Sequence, residues 1–265
     1  MLSIEEIKLL IEKLEKVKTH DLQALVDSNL KILKDVALAV DANNSEAIDR
    51  LDKTVEWYHM DLDAKKHKPV VDDLLYRQIV MKIHQFAKTG YYNRLEIGPG
   101  WGMFSNDFRA WRLNFFLDIN PRVEKHIRKK IKPGGQRFLR FHTTTKTECE
   151  SIPQGSCNFV FSWDTFVFFK QDHVQQYLHD IKRVLIPGGY CFIQYADCHY
   201  NEDLRYAKRG YWNYNTRTAM EKMITDEGYE IVEMNQFRPG ANYAIFRKPG
   251  KQNPVVYKVS EITLD

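Results

Sequence analysis

The chain has 265 residues, 43% hydrophobic and 28% charged, a balance that excludes bulk disorder and leaves room for one full α/β domain plus an appendage. Its 39 basic and 35 acidic residues give a formal charge of +4, too small to argue for a polyanionic partner. No apolar run is long enough to cross a bilayer, and the amphipathic, acid-bearing start from Met1 to Lys16 is unlike a secretory leader, so a soluble protein with no membrane partner is expected.

Ser3 and Glu6 read as a capping box for a helix that sets Ile4, Ile7, Ile11 and Leu14 on one face. A second helix is expected over 21–40, with Leu22, Leu25, Val26, Leu33, Val36 and Val40 on its apolar side, and a third after the polar break at 41–45. These stripes suit either a homodimer seam or a cap folded on the chain's own domain; with about two heptads available, the cap is the simpler arrangement. A polar stretch over 56–69 ends at Pro69 and reads as a linker. The expected organisation is a helical cap and linker over 1–70, a main domain over 71–250 and a tail over 251–265.

Asp72 to Lys88 reads as a helix stopped by Gly90. Short β-prone runs then alternate with amphipathic stretches: 93–97, 113–117, 136–141, 158–162 and 190–195 are the expected strands, in βαβ order. Two further runs, 229–237 and 241–247, flank a turn containing Pro239 and Gly240 and should pair antiparallel. The fold class is therefore α/β: a doubly wound, mostly parallel seven-stranded sheet with a C-terminal antiparallel hairpin and an N-terminal helical segment. The four cysteines, Cys149, Cys157, Cys191 and Cys198, form no Cys-x-x-Cys pair and stand near no histidine pair. Neither a metal centre nor a disulfide framework is indicated, and reduced thiols in the cytoplasm are expected.

The strongest chemical signal is the run from Arg94 to Phe104, where a strand ends in Gly98, Pro99, Gly100, Trp101 and Gly102 and leads into a helix expected to begin near Phe104. Glycines at a strand end permit positive φ and let a ligand reach the main chain. The spacing lacks the third glycine position of a dinucleotide fingerprint, so a ligand without a pyrophosphate fits better. Glu96, two residues before the first glycine, is placed to serve an ammonium group or to hold the loop. The next strand ends in Asp118, followed by Ile119, where a carboxylate can accept both hydroxyls of a ribose; the plainer alternative is an N-cap ahead of Asn120 and Pro121.

The run Leu95 to Gly102, Asp118, and the stretch from Asn158 through Ser162, Trp163, Asp164 and Thr165 to Arg183–Tyr190 with its Pro187-Gly188-Gly189 together resemble the class I S-adenosylmethionine-dependent methyltransferases, especially their small-molecule branch. The resemblance spans about 72–248 and implies a Rossmann-like methyltransferase domain with S-adenosylmethionine as cofactor. It implies that Gly98, Gly100 and Gly102 surround the methionine portion, that Asp118 holds the ribose, and that Ser162, Trp163 and Asp164 form the cofactor face nearest the acceptor. The chain departs from the family after the third strand, where Phe141-His142-Thr143 replaces an acid or small polar residue; His142 or Thr143 is a candidate adenine contact, and an ordinary polar loop is the equal alternative. Upstream, Glu56 to Leu62 resembles the Trp-aromatic-His segment ahead of the catalytic domain in some sugar or tRNA methyltransferases.

Methyl transfer from a sulfonium needs alignment and exclusion of water, and an oxygen acceptor gains from a general base. The candidates beyond strand ends are Asp164, His173, Asp197 and His199, with His199 leading and His173 better suited to starting a helix. The aromatic and basic stretch from Tyr200 to Tyr214 suits contact with a ring-bearing acceptor, the alternative being a surface loop that packs its rings on the helical cap. Arg122 to Lys132 is basic, but its spacing scatters the charges around a helix, which favours a solvated face over nucleic acid. The chain lacks the Pro-Pro-aromatic, Pro-Cys and paired-glutamate signatures of DNA-amine, cytosine-C5 and arginine methylation. Oxygen methylation of a sugar, glycan or other small molecule is what remains, with an RNA methyltransferase or a non-catalytic S-adenosylmethionine-binding protein as alternatives.

Overall fold

The computed structural model describes residues 71–87, 93–105, 112–144, 148–209 and 211–251. The expected cap, its possible dimer seam, the linker, the helix after the glycine run and most of the tail lie outside them. Helix α1 (Asp73–Phe86) starts where Asp72 caps the Leu75 amide at 2.9 Å, and it buries Leu75, Ile79 and Ile83, one turn apart, against the sheet.

Strand β1 (Asn93–Ile97) is followed by β2 (Leu113–Asp118), α2 (Val123–Lys130), the single turn α3 (Pro133–Gln136), β3 (Leu139–Thr143) and β4 (Cys157–Ser162). A 3₁₀ turn (Phe166–Phe168) then leads to α4 (Gln171–Val184), β5 (Leu185–Tyr195), α5 (Asn201–Lys208), α6 (Arg217–Asp226), β6 (Glu230–Gln236) and β7 (Asn242–Arg247). The sheet order is β3-β2-β1-β4-β5-β7-β6, parallel from β3 to β5, with β7 antiparallel to both its neighbours. The doubly wound seven-stranded sheet and its closing hairpin are as the sequence reading expected. Strand three begins three residues and ends two residues later than expected, because Pro133 to Gln136 close a helical turn instead of extending. Strand five begins earlier, at Leu185, since Pro187 sits where no ladder bond is needed.

Strands β1, β2, β4 and β5 are buried almost throughout, as a covered parallel sheet requires; β2, β4 and β5 are largely apolar, while β1 buries Asn93, Arg94 and Glu96 beside Leu95 and Ile97. On one face α4 buries Val174, Tyr177, Leu178, Ile181 and Val184 with Leu95, Val160 and Ile193. On the other, α1 covers Phe159, Phe161 and Phe192, and α2 covers Phe116 and Leu139 through Val123 and Ile127. On α2, Arg128 folds back on Glu124 at 2.7 Å, while Lys125, Lys129 and Lys130 are exposed, as is Arg122 just ahead of the helix.

Candidate functional site

The strand order reverses between β1 and β4, and in open α/β sheets that switch point leaves a crevice beyond the carboxyl ends of the strands. The glycine run leaves β1 on one side of it, and Trp163-Asp164-Thr165 leaves β4 on the other. Gly98, Gly100 and Gly102 all have positive φ (65°, 50° and 70°), but for different reasons. A Cβ on Gly98 would lie 2.1 Å from Thr165 Oγ1, and one on Gly102 would lie 2.7 Å from Ile127. These two are glycines because the protein packs against them. Gly100 alone faces open space, with nothing within 4 Å of its Cβ direction, so it is the place where a ligand can approach the main chain. Pro99 closes the turn by accepting from the Gly102 amide at 2.8 Å.

Asp118 ends β2 beside this loop. Its Oδ1 accepts from the Asn120 amide at 2.9 Å and its Oδ2 from the Gly100 amide at 3.3 Å, so the carboxylate joins the two loops as well as turning the chain toward α2. Burial pushes its pKa up to about 6, against the opposing pull of the Asn120, Gly100 and Ile119 amides. Ile119 is half-buried next to it. Thr143, exposed at the tip of β3, is the register partner of Asp118. His142 turns to the opposite face, where its ring lies 5.9 Å from that of Phe115; burial, then the Arg140 charge, hold it below the ordinary imidazole range.

Glu96 is buried and pairs with Arg94 Nη2 at 3.1 Å, within β1 and under the loop. Ser162 is fully buried and its hydroxyl donates to the Ile97 carbonyl at 2.8 Å, tying β4 to β1. Trp163 is buried in the α1 face, its ring centroid 6.0 Å from that of Phe192. Asp164, half-buried at the tip of β4, is the one non-glycine residue with positive φ (55°) among the described residues, and its amide donates to Gln194 Oε1 at 2.6 Å. His173 is exposed in the first turn of α4, the helix-starting position expected for it.

Beyond β5, His199 Nδ1 stands 3.3 Å from Oδ1 of buried Asp197, which also accepts from the His199 amide at 3.3 Å and the Arg217 amide at 3.1 Å. Behind it, buried Asp203 accepts from the Asp197 amide at 2.7 Å and Asn242 Nδ2 at 2.6 Å, and burial pushes its pKa up to about 6. The segment over 211–216 crosses the strand tips: the Asn213 amide donates to the Val167 carbonyl at 2.8 Å, and Asn215 accepts from the Cys198 amide at 2.9 Å. All the exposed aromatic side chains among the described residues, Phe168, Tyr200, Tyr211 and Tyr214, between 39% and 59% exposed, lie in the loops after β4 and β5. From the sequence, Gln194 and Asp203 were not singled out, and Thr165 was named only as part of the resembling run, with no role. Gln194 was the findable one, a lone amide in an otherwise apolar strand; Thr165 and Asp203 carry no such signal.

Residues 95–193 match the family model described as a methyltransferase domain, which supports a class I S-adenosylmethionine-dependent methyltransferase. A methyltransferase from Mesorhizobium loti superposes with a TM-score of 0.54 at 13% identity, covering 64% of this chain and 96% of its own. The N-methyltransferase NodS from Bradyrhizobium japonicum, solved with S-adenosylhomocysteine, gives 0.57 at 15% identity, covering 73% and 98%. The [4+2]-cyclase SpnF gives 0.56 at 10% identity, covering 70% and 85%. At such identities the likeness is one of fold. No curated protein matches the chain in sequence.

The residues present fit the cofactor: Gly100 leaves main chain open, and a largely desolvated carboxylate stands next to it. Among the described residues no three His, Cys, Asp or Glu side chains gather as metal ligands, and no helix is long and apolar enough to cross a membrane.

Proposed function

We propose that this methyltransferase transfers its methyl group to a hydroxyl of a small, ring-bearing acceptor, a sugar or glycan residue in the first place. The observation that carries this is the gathering of every exposed aromatic ring among the described residues around the tips of β4 and β5, beside His199. Tyrosine and phenylalanine faces offer stacking surface to a sugar or planar ring. Arg205 and Lys208 on α5, and Arg209 just after it, stand between Tyr200 and Tyr211.

In this reading the glycine run receives the methionine portion of the cofactor, with Gly100 the point of closest approach and Gly98, Pro99 and Gly102 shaping the turn. Asp118 accepts the ribose hydroxyls, with Ile119 and Thr143 or His142 toward the adenine. Glu96, neutralised by Arg94, holds the loop, and Ser162 and Trp163 act through their backbone and bulk. The bound cofactor supplies an electrophilic methyl group on a sulfonium. The protein aligns the acceptor and takes its proton: a proton on His199 Nδ1 facing Asp197 leaves the Nε2 lone pair free for a substrate hydroxyl. Asp164 is the second candidate base, and exposed His173 the third. The four free, buried cysteines support a reducing, cytoplasmic setting. The cap over 1–70, with its dimer seam as an option, and the tail over 251–265 complete the proposal.

The test is methyl transfer from labelled S-adenosylmethionine to a panel of monosaccharides and glycosides. Transfer should fall about a hundredfold in His199→Gln, with affinity for S-adenosylhomocysteine unaltered. Transfer that needs RNA, or that ignores His199, overturns it. The exposed cations of α2, whose charges hold the His126 imidazole below its ordinary range after burial, favour RNA as the second reading. A non-catalytic binder of the cofactor would show affinity without any transfer.

A further inference from the structure

Gln194 is buried in β5, an otherwise apolar strand, and both ends of its amide are engaged across the sheet. Its Oε1 accepts from the Asp164 amide at 2.6 Å, and its Nε2 donates to the Gly240 carbonyl, in the β6–β7 turn, at 3.1 Å. The Asp164 amide is thereby held in the left-handed region, which non-glycine residues enter rarely and mostly where the surroundings impose it. That kink turns the next residue back across the switch point: Thr165 fills the space a Cβ on Gly98 would need, and its hydroxyl donates at 3.3 Å toward the Gly98 carbonyl. A continuous set of contacts therefore runs from the β6–β7 turn, through β5 and the β4 tip, to the first glycine of the cofactor loop.

We propose that Gln194 is a positioning residue for cofactor binding: it holds the left-handed kink at Asp164 that seats Thr165 on Gly98 and so sets the conformation of the glycine loop. A polar amide in this strand is otherwise unfavourable, since burying it costs free energy unless both ends are bonded, and a methionine of similar length would pack without that requirement. The proposal rests on S-adenosylmethionine being the ligand of the site, and failure of that premise shows separately, as wild-type protein that does not bind S-adenosylhomocysteine.

The experiment is calorimetric titration with S-adenosylhomocysteine, with the melting temperature recorded alongside. Gln194→Met should raise Kd about tenfold in the wild-type background but far less beside Asp164→Gly, where glycine adopts the kink unaided. An unchanged Kd, or the same factor in both backgrounds, overturns the proposal. Asp164→Ala and Asp164→Gly form a second arm that holds even if Gln194→Met fails to fold. Both lack the carboxylate and differ in tolerance of the left-handed region, so Ala should bind about tenfold more weakly than Gly. Equal affinities overturn the proposal.

Discussion

Asp118 illustrates how a residue suited to a ligand can cost the fold stability. Its carboxyl titrates near 6 in the folded chain and near 3.8 when unfolded, so the folded state favours the protonated form. The stabilising contribution is complete below the unfolded value and lost as pH rises through about 6, leaving the ionised group unfavourable by about 3 kcal/mol at neutral pH. Asp118→Asn keeps an acceptor for the Asn120 amide, although its NH₂ would face the Gly100 donor. It should therefore stabilise the fold at pH 8, and not at pH 4, by up to that free energy, read as a rise in melting temperature at the higher pH alone. The same change should weaken S-adenosylhomocysteine binding, because ribose hydroxyls donate best to a carboxylate. In the wild type, that affinity should fall as pH drops through about 6, and the Asn variant should flatten the profile; a flat wild-type profile would remove Asp118 from the site.

At the scale of the element, the glycine loop divides its three glycines between packing and access. Gly98→Ala drives a methyl group into Thr165 and should cost about 2–4 kcal/mol of stability, whether or not cofactor is present. Gly100→Ala meets no neighbour, so its cost should be the positive-φ penalty alone, about 1 kcal/mol, with the loss concentrated in ligand affinity. Chemical denaturation paired with S-adenosylhomocysteine titration separates the two; an equal loss of stability in both variants would refute the division. The pattern of glycines was plain in the sequence. Which glycine faces the ligand was not, since that depends on Thr165 and Ile127, brought in from β4 and α2.

Over the whole molecule, the four thiols are free and buried, and burial pushes Cys157 up to about 12 and raises Cys149 and Cys191 as well. A buried neutral thiol reacts only when the structure opens. Alkylation of Cys149, Cys157 and Cys191 by iodoacetamide, followed by mass spectrometry, should therefore proceed at one common rate that tracks global unfolding. S-adenosylhomocysteine should slow all three together. Faster labelling of Cys157 than of its neighbours under native conditions would count against a single cooperative core.

The sequence alone determined the alternation of strand and helix, the hairpin at the end, the glycine run after β1 and the acid after β2. Each of these is local: hydrophobic period, turn chemistry and a strand-end acid are written in contiguous residues. It also placed His199 beyond a strand end. Tertiary structure decided the rest, because it depends on which distant residues meet. Folding turned Ser162 and Trp163 inward, paired Glu96 with Arg94, and made of the aromatic stretch helix α5 and a segment over the strand tips. The contacts of Gln194 with Asp164 and Gly240 join three strand ends that only the sheet order makes neighbours, which is why no reading along the chain reached them.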